Sequence, residues 1–227
     1  FKLADTAPAA DGQDTINVKI TAHQFWWQFE YPDLGVTTGQ ELVIPANAKI
    51  NIQVTSADVT HAFWVPALAG KIDANPGLIN KTWFTADEPG IYQGRCAELC
   101  GDSHALMDFK VVAVTPDEFN AWIDKMKKPA YEATPLAEQG KALFEKSGCV
   151  GCHAVAGTGG PAGPNLTDFG DRSTIGGFID HTPDNLKLWI NNAPSMKEGI
   201  TMPSYDGKFT DDQLNALAEY LMSLKVQ

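Results

Sequence analysis

The sequence predicts two domains of different class, an all-β domain followed by an all-α domain, and three observations carry that prediction. Residues 16–114 are rich in Val, Ile and Thr with partial alternation, cut by Pro, Gly and Asn turns. From residue 115 the apolar residues recur at helical spacing instead. A short stretch with two prolines, PAYEATP (129–135), then separates a further set of helical runs.

In the first part, INVKITA (16–22), ELVIPANAKINIQVTS (41–56) and DFKVVAV (108–114) read as strands. Pro32-Asp33, Gly39, Pro45-Ala46-Asn47 and Pro89-Gly90 supply the turns between them. Many short strands punctuated this way predict a sandwich or barrel. Thr115-Pro116-Asp117-Glu118 is a helix start, with a Thr N-cap, Pro in the first turn and acids that suit the helix dipole. Phe119, Trp122, Ile123 and Met126 follow at helical spacing, and Lys127-Lys128-Pro129 ends the run. Beyond the linker, LAEQGKALFEKSG (136–148), NLKLWINNA (185–193) and TDDQLNALAEYLMSLK (210–225) read as helices. The last is capped by Thr210 and carries Leu214, Leu217, Leu221 and Leu224 on one face. The loops between them, such as GTGGPAGPNL (157–166), are too long for simple connectors, so a group other than protein is expected to fill the middle. The predicted domains are therefore 1–128 and 136–227, with 129–135 as linker.

Bulk composition narrows the function. The 227 residues carry a net charge of -11. Acidity is spread: residues 1–128 hold 10 basic against 16 acidic side chains, net -6, and residues 129–227 hold 7 against 12, net -5. Such a surface argues against a nucleic-acid partner. With 44% hydrophobic and 20% charged residues the chain can build a core. No run of about 18 apolar residues offers a membrane span, and no signal peptide is visible. The start at Phe1 predicts a processed or engineered fragment with an upstream part missing. Four Cys stand in two tight pairs, Cys96/Cys100 and Cys149/Cys152, which fits two ligand clusters better than a disulfide scaffold.

CVGCH (149–153) is the Cys-x-x-Cys-His pattern of c-type haem attachment. Two thiols at this spacing can each add to one vinyl group of a porphyrin, and the adjacent His reaches the iron. A thioredoxin-like pair would want a βαβ setting, and a zinc site a second ligand pair; this helical half has neither. Met is the usual second axial ligand, and Met196 and Met202 are the candidates. ITMPSY (200–205) resembles the Met-Pro segment of class I cytochromes c, as does the whole order of residues 136–227. The resemblance implies His153 as proximal and Met202 as distal ligand, leaving Met196 to packing or surface.

CAELCGDSHALM (96–107) gathers Cys96, Cys100, His104 and Met107 within twelve residues. Thiolate, imidazole and thioether are soft ligands that select copper. A structural zinc site would be closed without Met, and a mononuclear blue-copper site would use one Cys. Two thiolates four apart could instead bridge two copper ions, each needing its own His. His104 is one; His61, in DVTHAFWVP (58–66), is the best remaining candidate for the other, with His23 as competitor. A Cys96–Cys100 disulfide would leave His104 and Met107 unexplained.

DVTHAFWVPALAGKIDANPG (58–77), WFTADEPGIYQGRCAELCG (83–101) and SHALMDF (103–109) resemble subunit II of cytochrome c oxidases over about residues 15–128. With the haem domain added, the whole is similar to the caa-type oxidases, whose subunit II carries its own cytochrome c. The resemblance implies a cupredoxin-like Greek-key sandwich with a dinuclear copper A centre, followed by an all-α class I cytochrome c domain. The implied copper ligands are His61, Cys96, Glu98 through its backbone carbonyl, Cys100, His104 and Met107. The Glu98 side chain is implied in a magnesium site shared with subunit I. HQFWWQFEYP (23–32) matches the family's aromatic strand but has Phe25 where Trp is frequent; Phe25 or Trp26 is the expected ring through which electrons enter. The family's two N-terminal membrane helices are absent from the sequence. The expected function is electron transfer from cytochrome c or another donor through haem c and the copper centre to subunit I, where oxygen is reduced. The expected partners are subunit I and other membrane subunits, and the expected place is the periplasmic or outer face of a bacterial plasma membrane. The weighed alternatives are a nitric oxide or nitrous oxide reductase using the same copper centre, and a free-standing soluble shuttle.

Overall fold

Alternation in the N-terminal strands sorts their side chains onto two faces, and the buried faces meet. The structure, a computed structural model, describes residues 15–226; residues 1–14, the start of the first predicted domain, lie outside the described residues. The chain divides into two compact units, residues 1–123 and 124–227.

Among the described residues the first unit holds ten strands: β1 (Thr15–His23), β2 (Trp26–Tyr31), β3 (Val36–Gly39), β4 (Glu41–Pro45), β5 (Lys49–Ser56), β6 (His61–Trp64), β7 (Ile72–Ala74), β8 (Asn80–Phe84), β9 (Gly90–Cys96) and β10 (Asp108–Val114). They form two five-stranded sheets in the orders β3-β2-β1-β5-β8 and β4-β10-β9-β6-β7. Pairing is antiparallel except for β1 with β5 and β10 with β4, so the chain crosses between sheets as a Greek-key sandwich requires. The run 41–56 breaks at the Pro45-Ala46-Asn47 turn, where Asn47 takes φ 64°, and its halves join different sheets. Val18, Ile20 and Ala22 of β1 and Phe109, Val111 and Ala113 of β10 are buried at every second position. Between the layers, Trp27 of β2 lies 5.6 Å from Phe63 of β6 and 5.3 Å from Phe109 of β10, with Phe63 stacked on Phe109 at 4.7 Å. Burial of these large rings dominates the core's hydrophobic stabilisation.

Helix α1 (Pro116–Lys127) follows. The Thr115 hydroxyl accepts from Glu118 N–H while the Glu118 carboxylate accepts from Thr115 N–H, a capping box. Its Phe119 and Trp122 pack on Tyr31 at 6.2 and 5.5 Å between ring centres.

The second unit contains α2 (Pro135–Lys146), α3 (Pro183–Met196) and α4 (Asp211–Ser223). Thr134, Thr182 and Thr210 cap them, each accepting a backbone N–H three residues on. The helices α2 and α4 cross in direct contact at Gly140, where a Cβ would sit 1.9 Å from the Ala216 carbonyl oxygen. Phe144, Leu186, Ile190, Leu214, Leu217 and Leu221 belong to one buried cluster. Two differences from the all-α expectation appear. Thr174–Ile175 and Ile179–Asp180 form a small hairpin, β11 and β12, turned by Gly176 and Gly177 at φ 60° and 91°; two-residue strands are too short to show periodicity. Helix α3 also runs past Pro194 to Met196, with Asn192 non-helical at φ -152°, because a kink there accommodates the proline.

Candidate metal centre and haem site

The first cluster forms where β6 begins and β9 ends. Antiparallel pairing sets Phe63 opposite Cys96, which brings His61 of the neighbouring strand to the Cys96 thiol. The chain then leaves the sheet as the loop 97–103, makes a 3-10 turn at His104–Leu106 and rejoins the sheet after Met107. A bond from Cys96 N–H to the Met107 carbonyl, 3.2 Å, closes the base of this excursion.

The donor atoms converge. The Cys96 and Cys100 sulfurs are 3.8 Å apart. His61 Nδ1 is 3.8 Å from Cys96 Sγ, and His104 Nδ1 is 3.5 Å from Cys100 Sγ. Met107 Sδ is 3.8 Å from Cys100 Sγ, and the Glu98 carbonyl oxygen is 3.3 Å from Cys96 Sγ. His61, Cys96, Cys100 and Met107 are buried; His104 is half-buried and the Glu98 side chain exposed. Such sulfur and nitrogen separations are what bonds of about 2.0–2.3 Å to shared first-row ions impose. They are far from the roughly 2.05 Å of a disulfide, and both Cys are free thiols.

Electrostatics supports the same reading. Burial works against ionising Cys96, but hydrogen bonding from His61 and from backbone outweighs it and brings its pKa down to about 7. Burial and then the neighbouring Cys96 charge push Cys100 up to about 12. Near neutral pH, positive charge beside the pair favours ionising both thiols, and the thiolate–imidazole–thioether set selects copper. Burial disfavours a charged His61, yet Cys96 on one ring nitrogen and Asp58 on the other raise its pKa. The Asp58 carboxylate can only accept, so His61 Nε2 carries a proton at 2.8 Å, and when the ring is neutral Nδ1 is the nitrogen that faces the thiol side with its electron pair.

The competitor His23 stays outside this cluster: it stacks on Trp26 at 4.2 Å, with Nε2 buried and without a hydrogen-bond partner. Phe25 and Trp26 are both buried, and Phe25 lies against Gly101, the residue after Cys100. Trp27 is the aromatic ring that packs edge-on to His61, at 6.1 Å. Sequence reasoning missed Asp58, although its place three residues before His61 was a signal, and Gln24, which had none.

The second cluster sits in the second unit, on a 3-10 turn at Cys149–Gly151 entered through Gly148 at φ 84°. Cys149 is half-buried, Cys152 exposed, and both are free. His153 Nδ1 donates to the Pro164 carbonyl at 2.8 Å, which leaves Nε2 as an electron-pair donor. Burial, and secondarily Arg172, lower the His153 pKa and keep the ring neutral. A Cβ at Gly163 would lie 2.7 Å from the ring, so glycine there lets the loop close on it. Cys149, Val150, Trp189 and Phe209 flank the buried apolar cluster. Arg172 Nε is buried and makes no hydrogen bond within the protein, as a donor facing an acceptor-bearing group would be. Free thiols, a neutral imidazole, apolar walls and an unmatched guanidinium N–H fit a covalently held haem. Met196 closes α3 and Met202 lies in the stretch before α4; both are half-buried.

Comparison with known proteins divides along the same lines. The family "Cytochrome C oxidase subunit II, periplasmic domain" matches residues 34–114, and the family "Cytochrome c" matches residues 137–225. The cytochrome c oxidase subunit 2 of Alkalihalophilus pseudofirmus is 48% identical over all of this chain, which covers 66% of that protein. That of Bacillus sp. (strain PS3) is 46% identical, again over all of this chain and 68% of its own length. The chain thus spans about two thirds of these curated relatives. The crystal structure of the periplasmic domain of subunit II of cytochrome oxidase (CoxB) of Bradyrhizobium japonicum superposes with a TM-score of 0.50 at 39% identity, covering 53% of this chain and 96% of that one. With relatives this similar along its whole length, and a cluster of matching chemistry in each half, the chain belongs to the cytochrome c oxidase subunit 2 family, in the form that carries a cytochrome c domain.

Proposed function

We propose that this chain is the electron-carrying subunit of a haem-copper oxidase, with haem c and a dinuclear copper centre as its cofactors and subunit I as the destination of its electrons. The observation that carries the reading is the buried pair of thiols 3.8 Å apart, flanked by two imidazoles and a thioether, in one chain with a free Cys-x-x-Cys-His turn. His61 and His104 through Nδ1, Cys96, Cys100, Met107 and the Glu98 carbonyl would hold the coppers. Cys149 and Cys152 would attach the haem, with His153 and Met202 as axial ligands. Bound there, the metals supply one-electron couples. The protein's own work is to hold donors in fixed places, to keep water out through burial of His61, Cys96, Cys100 and Met107, and to set the His61 tautomer through Asp58.

Oxygen reduction belongs to subunit I in this proposal, and this chain alone reduces none. The exposed Glu98 carboxylate is free to share a magnesium ion across the subunit boundary, and Phe25 or Trp26 serves as the ring through which electrons enter. The domains are 1–128 and 136–227, with 129–135 as linker. The donor is cytochrome c or another external carrier. The matched description of a periplasmic domain supports the extracytoplasmic face of a bacterial plasma membrane, beside subunit I and further membrane subunits.

Low-temperature electron paramagnetic resonance on the oxidised, copper-loaded chain tests this. Hyperfine coupling to two equivalent copper nuclei, lost in Cys96→Ser, is expected. Coupling to a single nucleus would overturn the oxidase reading in favour of a blue-copper carrier. Haem that stays with the polypeptide in acidified acetone, and leaves it in the Cys149→Ala/Cys152→Ala double variant, tests the second site.

A further inference from the structure

Building on the copper reading above, we propose that Gln24 is a positioning residue of that centre, clasping its two halves from the turn between β1 and β2. Two hydrogen bonds from this one residue reach opposite sides of the donor cluster. The Gln24 backbone N–H donates to Asp58 Oδ2 at 2.7 Å, and the other oxygen of that carboxylate accepts from His61 Nε2 at 2.8 Å. The Gln24 side-chain amide Nε2 donates to the Cys100 backbone carbonyl at 2.6 Å. A residue remote in sequence from both thus connects the orienting partner of one imidazole to the backbone of one thiol.

The two sides of the cluster differ in what else holds them. His61 and Cys96 stand on paired strands, and their approach follows from the β6–β9 register. Cys100 stands on the loop 97–103, outside the strand ladder. Its 3.8 Å distance from Cys96 therefore depends on side-chain and turn contacts. The Gln24 amide is such a contact, and the neighbouring backbone is shaped for it. Gly101 has φ 136°, and a Cβ there would meet both Gln24 Nε2 and Phe25 Cζ at 2.9 Å. Glycine at 101 leaves the seat into which Gln24 and the buried Phe25 ring fit. Asp58 is held in turn by Val59 N–H at 2.7 Å and the Ser56 hydroxyl at 3.3 Å, so the His61 side of the clasp is over-determined. The Cys100 side is where removing one donor is expected to matter most.

The consequence is specific. Two ions sharing two thiolates remain equivalent only while both sulfurs keep their places relative to the two imidazoles. Without the amide, the Cys100 loop gains freedom and the two sides stop matching. Removal of an outer partner of a metal site costs about 10–100-fold in metal affinity.

The test uses the haem-bearing chain with Gln24→Leu, which keeps the bulk and removes the donor, and Gln24→Glu, which keeps the shape and turns an acceptor toward the Cys100 carbonyl. Copper affinity is read by competition with a chelator, and equivalence of the nuclei by electron paramagnetic resonance. A melt of the copper-free chain followed by the signal of the aromatic side chains, most of whose tryptophans lie in the first unit, serves as the control for undisturbed folding there. The expected result is an affinity about 10–100-fold lower in Gln24→Leu, lower again in Gln24→Glu, with unequal copper couplings and a cooperative melt retained. If Gln24→Leu fails to fold, Gln24→Glu, which keeps the side chain's shape, decides the question; both variants retain the backbone bond to Asp58. A folded variant that binds two coppers within about twofold of the parent, with the parent's couplings, overturns the proposal. A parent chain showing a single-copper coupling overturns the copper reading itself, and the role of Gln24 falls with it.

Discussion

The contact between α2 and α4 at Gly140 gives a prediction whose size can be worked from geometry. In Gly140→Ala the added Cβ would lie 1.9 Å from the Ala216 carbonyl oxygen, 2.5 Å from its carbon and 2.8 Å from Tyr220 Cβ. Two of these three atoms are helix backbone and cannot rotate away, so the helices must separate by at least about 1 Å in a close-packed interior. Overpacking of a core costs about 1–3 kcal/mol, and a backbone clash puts this case at the upper end. Alanine's better helix propensity returns about 1 kcal/mol. The net, about 2 kcal/mol, lowers the melting temperature of a unit of about 100 residues by roughly 8–16 °C. The thiols of Cys149 and Cys152 are untouched, so the haem should still be attached. Calorimetry of the variant, with haem content checked by absorbance, makes the measurement. A melting temperature equal to or above the parent's would refute the close crossing and the reasoning built on it.

Three further outcomes are expected. In the copper-free chain the buried dithiol makes stability depend on pH. Cys96, held at about 7 by hydrogen bonds that outweigh burial, stands below the ordinary thiol value of 9.0, so unfolding takes up a proton between pH 7 and 9 and stability rises across that window. Cys100, pushed up to about 12 by burial and by Cys96, releases a proton on unfolding between pH 9 and 12, so stability falls there. Melts across this range should peak near pH 9, and Cys96→Ser should lose the rising limb. Asp168→Ala strands the buried Arg172 guanidinium, which the Asp168 carboxylate meets at 2.7 Å; leaving a buried charge uncompensated costs about 3–5 kcal/mol, seen as a lower denaturant midpoint with unchanged slope. Thr210→Ala removes one half of the capping box of α4 and should cost about 1 kcal/mol by the same assay.

Both thiol clusters were legible because their members are close in sequence: twelve residues contain Cys96 to Met107, and five contain Cys149 to His153. A loop of that length brings its own side chains together whatever the fold around it. His61 is different, since its meeting with Cys96 depends on which strands pair and in what register. Residue types made His61 a better candidate than His23, and the strand register places His61 beside Cys96 while His23 stacks on Trp26. Gln24 was illegible for the same reason, and also because a backbone N–H contributes half of what it does; Asp58, three residues before His61, was within reach of the sequence and was missed. The Asp168–Arg172 pair was hidden because charged residues are ordinarily read as surface. The hairpin at 174–180 carried no signal because strands of two residues have no period to detect.

The contrast between the two thiol pairs explains why one chain can hold two different metals apart. Cys96 and Cys100 are buried together beside two imidazoles and a thioether, and their environment lets one thiol ionise near neutrality while the other waits for a cation. Those are the conditions for anionic ligands that a metal must neutralise. Cys149 is treated like Cys100 and unlike Cys96: burial raises its pKa, and its surroundings include Val150 and the apolar cluster behind it. An environment that disfavours a thiolate is a poor place to store an anion but a good one for a thioether, which carries no charge. Cys152 is exposed, and the adjacent His153 imidazole is kept neutral by burial. A free copper ion therefore finds a buried, charge-accepting donor set in the first unit and a thinner one in the second. On the proposed function Cys149 and Cys152 become thioethers, which would leave the second site no thiolate with which to compete.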